Sequence, residues 1–105
     1  MTTILAPSPS LTVRFLALKK QWQDETWLYS DPFAICTHPA YQKIIGMGPA
    51  VLPMILKDLE VSHRQWFWAL DAIVDEDPLP PDMNGNIKEQ ARIWVEWGYR
   101  KGLLP

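Results

Sequence analysis

The sequence predicts an all-α protein, a compact bundle of about five helices. Three observations carry this. Apolar residues recur at spacings of three and four along several separate stretches, the period of one helix face. Proline and glycine fall mostly at the borders of those stretches, where helices start and stop. No segment alternates apolar and polar residues for long enough to read as a strand.

Residues 1–8 form a polar, proline-containing lead that is expected to fray, which leaves 9–105 as a single helical domain. Ser8 followed by Pro9 fits an N-cap with proline at the first helical position. Leu11, Phe15, Leu18 and Trp22 then mark the inward face of a helix over about 10–29, ended before Ser30-Asp31-Pro32. The stretch from Asp31 to Thr37 reads as a connector, with Phe33, Ala34 and Ile35 apolar enough to pack. His38-Pro39 opens a short helix with Tyr41, Ile44 and Ile45 on its face, and Gly46-Met47-Gly48 stops it. Pro49 restarts a helix that runs to about Glu60, with Pro53 in its second turn expected to remove a hydrogen bond and bend it. Ser62 and Gln65 match a capping box ahead of a helix holding Trp66 to Val74, apolar nearly all round and therefore expected to be central. Pro78, Pro80, Pro81 and Asn84-Gly85 make a rigid loop. Asn86, with Glu89 three residues on, opens a last helix to about Lys101, with Ile87, Ala91, Trp94 and Val95 facing in and Gly102 closing it.

The 105 residues give room for one core, and with 48% apolar and 21% charged residues the chain is too apolar to be disordered. A lone cysteine, Cys36, leaves no intramolecular disulfide to form and points to a reducing compartment. No run of apolar residues is long enough to span a membrane, and the first residues lack the basic start of a secretory signal, so a cytoplasmic protein is expected. The net charge of −2 carries no basic stripe of the kind that phosphate binding uses. The outlier is aromatic content: six Trp, three Tyr and three Phe, enough for an aromatic core together with an exposed aromatic surface.

Two resemblances add to this. Gly48-Pro49-Ala50-Val51-Leu52-Pro53-Met54-Ile55-Leu56-Lys57-Asp58-Leu59, with Trp68-Ala69-Leu70-Asp71-Ala72-Ile73, resembles a HEAT-type unit, which implies an antiparallel helix pair. One such unit cannot build a solenoid, since about three are needed to bury a continuous core. Thr37-His38-Pro39-Ala40-Tyr41-Gln42-Lys43-Ile44-Ile45-Gly46-Met47-Gly48, with Trp66-Phe67-Trp68-Ala69-Leu70 and Glu76-Asp77-Pro78-Leu79-Pro80, is similar to a family of small uncharacterised prokaryotic proteins. The likeness covers roughly residues 20–100 and departs at Val74-Asp75, where a Thr-Gly-like turn is expected. It implies a bacterial source and a helical fold, and it brings no activity with it.

Cys36, His38 and Tyr41 are the residues from which a small enzyme would have to be built, yet no recognised nucleophile or metal spacing is present. One Cys and two His fall short of the usual zinc sets, so neither metal nor cofactor is expected. His38 before proline reads more simply as a helix cap, and His63 as a surface residue. The acids around Asp75-Glu76-Asp77 and Asp82 fail the calcium-loop pattern: a loop placing Gly85 sixth would begin at Pro80 and end at Ala91.

The tryptophans are more informative. Trp66 and Trp94 lie on inward faces and read as core. Trp22 and Trp27, five apart, cannot share one direction on a helix, and Trp68 and Trp97 lie off the cleanest faces. At least one of Trp27, Trp68 and Trp97 is therefore expected to be partly exposed, where a large flat side chain fills a partner's pocket; the alternative is that all three cover the rim of the core. The leading expectation is a non-catalytic protein-interaction module, an adaptor or accessory subunit of a bacterial complex. A nucleic-acid-associated factor using Arg14, Lys19, Lys20, Arg100 and Lys101 is the rival, and a homo-oligomer that buries its surplus aromatics against a second copy is the mundane competitor.

Overall fold

The computed structural model describes residues 9–62, 65–81 and 86–105. The expectations for the lead at 1–8, for Ser8 as a cap, for His63 and for Asp82 to Gly85 lie outside the described residues. Among those described, the chain is helical without a strand: α1 Pro9–Thr26, α2 Pro32–Cys36, α3 Pro39–Gly46, a 3-10 turn Gly48–Val51, α4 Leu52–Ser62, α5 Phe67–Ile73 and α6 Ile87–Arg100. The buried apolar side chains make one cluster drawn from every helix. None of these helices is long and apolar enough to cross a membrane.

α1 ends at Thr26, three residues earlier than its periodicity suggests. The Thr26 hydroxyl donates to the Trp22 carbonyl at 2.6 Å, and Tyr29 N–H closes a turn on the Thr26 carbonyl at 2.8 Å. The connector after it is a helix of its own. Asp31 caps α2 by accepting from Phe33 N–H at 3.1 Å, and Pro32 fills the first position. α3 repeats the device: His38 Nδ1 accepts from Ala40 N–H at 3.0 Å, ahead of Pro39. Gly48, at φ +75°, turns the chain out of α3 as only glycine does without strain. Pro53 proves to be the second residue of α4, not an interior one. Its missing N–H is one of the groups a helix start leaves unpaired anyway, so no bend is required of it.

Two further expectations change. Ser62 is the last residue of α4, its hydroxyl donating to the Asp58 carbonyl at 2.7 Å, so it does not cap the next helix. That helix starts only at Phe67, with Trp66 at its N-cap and no side-chain cap bond. Nor is α5 central. α3 occupies that place, packed against α1, α2, the 3-10 turn and α5, while α4 packs chiefly on α6. The two helices that carry the HEAT-type resemblance, α4 and α5, thus each have a different principal neighbour.

Four rings form the middle of the core. Trp66 lies 4.9 Å from Trp22, 5.6 Å from Tyr41 and 5.8 Å from Phe15 between ring centroids, and Trp22 lies 5.0 Å from Tyr41. These spacings fall in the range where aromatic pairs gain beyond their buried area. At the other end, α6 closes with Gly102 at φ +75°, Leu103 N–H reaching the Gly98 carbonyl and Gly102 N–H that of Tyr99. The turn folds Leu104 back onto Gly98, where α6 also faces Leu56 of α4.

Candidate interaction surface

The early end of α1 decides where Trp27 goes. Outside the helix it cannot follow Trp22 inward, and it is 75% exposed while Trp22 is buried. Leu28 and Tyr29 follow it outward. α2 has only five residues, and its inward side is taken by Cys36 and the half-buried Ile35, which leaves Phe33 63% exposed. Trp68, on the first turn of α5, sets its ring against that of Phe33 at 5.7 Å, nearly edge-on, and remains 40% exposed. Five large apolar side chains therefore stand at one junction, where α1 runs into α2 and α2 meets the start of α5. Phe33 and Trp68 are in ring contact, and exposed apolar side chains gathered in this way mark binding sites more often than singly scattered ones do.

Two open depressions flank the junction. Trp22, Trp27, Thr26, Ser62 and Gln65 line one of about 340 Å³. Trp68, Asp71 and Ala72 line the other, of about 320 Å³. Gln65 and Trp68 are three residues apart, and the backbone between them is held rigidly from below. The Tyr41 hydroxyl donates to the Gln65 carbonyl at 2.7 Å and accepts from Ala69 N–H at 2.9 Å. The surface is thus built on a fixed support.

Trp97 does not belong to it. It is 4% exposed, packed edge-on against Trp94 at 5.3 Å. The inward face of α6 runs through Ala91, Trp94, Trp97 and Gly98: Ala91 and Trp94 face in as expected and Val95 is half-buried, while Ile87 is exposed and Trp97 takes an inward place instead. Of the three tryptophans expected at a partner surface, the structure brings Trp27 and Trp68 to one end and places Trp97 in the core. Leu28, Tyr29 and Phe33 join that surface without having been singled out by sequence. Phe33 could have been found by treating Asp31-Pro32 as a cap followed by proline at a first helical position, as at His38-Pro39.

The residues of the enzyme reading converge only in part. Cys36 Sγ lies 4.0 Å from the Gln65 carbonyl that Tyr41 also meets. Burial pushes the Cys36 thiol up, with the Tyr41 hydroxyl beside it a smaller, opposite influence. Burial, and then the neighbouring Cys36, push the Tyr41 phenol up as well. A thiol held protonated is a poor nucleophile. His38 is turned from it, one ring nitrogen accepting from Ala40 N–H and the other 2.8 Å from Glu25 Oε1. Among the described residues no three His, Cys, Asp or Glu side chains gather as a metal site requires.

The basic residues of the nucleic-acid reading are spread and largely paired. Lys19 meets Asp58 at 2.9 Å, Lys20 meets Asp24 at 2.7 Å and Lys101 meets Glu76 at 2.9 Å. Arg14 is exposed on α1 and Arg100 on α6, two helices that are not principal packing neighbours. An apolar groove of about 400 Å³ between α1 and α4 has the Lys19–Asp58 pair on its wall, already closed on itself. Comparison with protein-family models, with curated proteins and with solved structures yields no match to this chain.

Proposed function

We propose that the protein is a non-catalytic protein-interaction module, an adaptor or accessory subunit, whose docking surface is the aromatic junction of Trp27, Leu28, Tyr29, Phe33 and Trp68. The observation that supports it most is the exposure of Trp27, Phe33 and Trp68, with Trp68 in ring contact with Phe33 and carried on a backbone that the Tyr41 hydroxyl holds at Gln65 and Ala69. Exposed Trp and Tyr on a rigid base pay little entropy on binding and dominate interface energetics. A bacterial, cytoplasmic setting fits this reading and rests on the sequence resemblance and the single cysteine.

Trp27→Ala, Phe33→Ala and Trp68→Ala test it. Trp27→Ala and Phe33→Ala remove mostly exposed area, so each should shift the thermal midpoint little, with a cost below about 1 kcal/mol, whereas Trp68→Ala, more than half buried, should cost about 1–2 kcal/mol and leave the domain folded. Partner capture from a nuclease-treated lysate should fall sharply with at least two of the three, by about tenfold or more in affinity. Trp97→Ala is the contrast: it should destabilise by about 3 kcal/mol or more, as buried Trp truncation does. Full partner capture by all three surface variants would sink the proposal.

A further inference from the structure

The two chain segments that carry the aromatic junction are acidic in sequence. The segment 24–36, which carries Trp27, Leu28, Tyr29 and Phe33, holds Asp24, Glu25 and Asp31 and no Lys or Arg. The segment 65–81, which carries Trp68, holds Asp71, Asp75, Glu76 and Asp77 and again no Lys or Arg. All ten Lys and Arg residues of the chain lie outside these two segments. Some of the acids are occupied: Asp24 by Lys20, Glu25 by His38, Glu76 by Lys101. Asp71 is not among them. Its carboxylate shares the depression beside the Trp68 ring with Ala72, and no cation among the described residues pairs with it.

From this charge complementarity we infer that the aromatic junction docks a basic segment of a protein partner, with a Lys or Arg side chain seated against Trp68 and Asp71 as its counter-ion. The inference rests on reading the junction as a docking surface and adds the chemistry of what docks there. An aromatic face beside a carboxylate is the arrangement that recognises a guanidinium or ammonium group, through the ring quadrupole and the charge together. Burial first, and then the nearby charge of Asp77, push the Asp71 carboxyl up, so an arriving cation relieves a cost that the free protein carries. The other occupants fit less well. A second copy would bring acids against acids, and a nucleic acid would bring phosphates toward them.

Selection of a random peptide library displayed on phage against the full-length protein tests the inference without naming a partner. Clones retained by the wild type and lost on Trp68→Ala should carry net positive charge, with Lys or Arg beside apolar residues. For such a clone, made as a free peptide, Asp71→Asn should weaken binding about tenfold. Binding should also weaken as salt rises, with the thermal midpoint of the variant near that of the wild type. Clones that depend on Trp68 but are neutral or acidic, or that ignore Asp71→Asn, would overturn the cation inference while leaving the docking surface in place. A selection in which no clone depends on Trp27, Phe33 or Trp68 would count against both.

Discussion

Asp58 is charged where burial opposes charge, and its surroundings show what that requires. It is 8% exposed, and burial alone would raise its carboxyl; hydrogen bonds from Trp66 Nε1 at 2.7 Å and Lys19 Nζ at 2.9 Å, with Ser62 Oγ at 3.0 Å sharing its one proton between this carboxylate and the Asp58 carbonyl, outweigh this and hold it below the usual carboxylate range. One side chain thereby ties α1 to α4 and both to the central Trp66 ring. The sign of its pH dependence follows. A carboxyl depressed in the folded state contributes stability fully above its unfolded value, near 3.9, and that stability is lost as pH falls through the lower, folded value. Urea midpoints measured down a pH series should therefore drop at the acid end in the wild type, and less steeply in Asp58→Asn. At neutral pH that variant should be about 2 kcal/mol less stable, because an amide sets N–H groups against the donors that a carboxylate accepts. An unchanged midpoint in Asp58→Asn would mean that Trp66 Nε1 and Lys19 Nζ find other acceptors.

Among the helices, what the sequence made legible and what it hid divide along physical lines. The caps at His38 and Asn86, the glycine stop at Gly48 and the closure at Gly102 were all readable, because each depends on residues within a few positions of one another. The Phe15–Trp22 face of α1 was readable for the same reason. The end of α1, the inward place of Trp97 on α6 and the pairing of helices were not, since they depend on which surface each helix meets. Ile87 and Trp97 show this directly: periodicity leaves several directions open for a short apolar stripe, and packing on α4 turns Trp97 in and Ile87 out. The same contact makes a measurable demand on Gly98. A Cβ there would stand 2.7 Å from Leu56 Cδ1 and 3.3 Å from Leu104 Cδ1, both in the core. Gly98→Val should lower the denaturant midpoint by about 2 kcal/mol or more in stability, with an unchanged denaturant slope, since over-packing exceeds the few tenths gained in helix propensity. A gain in stability would show that Leu56 and Leu104 swing aside freely and that α4 and α6 are not closely seated.

The molecule as a whole exposes several large apolar side chains, and the placement of its charges bears on whether they drive self-association. Six tryptophans with a net charge of only −2 would ordinarily favour association. The acids are distributed so that most of them fall in the segments bearing the patch: seven of the chain's twelve Asp and Glu lie in 24–36 and 65–81. Two copies meeting through Trp68 would bring the Asp71 carboxylates toward one another, and like charges across an interface act as a repulsive element that rejects the wrong partner. Such repulsion depends on salt. At low ionic strength the Debye length exceeds about 10 Å and the acids of one copy are felt by the other; near 1 M it shrinks to about 3 Å, while apolar attraction remains. Sedimentation velocity should therefore give a monomer in dilute salt and a growing dimer fraction as sodium chloride is raised. Phe33→Ala and Trp68→Ala should each abolish that shift, and Asp71→Asn should move it to lower salt. A dimer present at low salt and dissociated by high salt would mean that opposite charges meet, which places self-association on another face and leaves the aromatic junction without this protection.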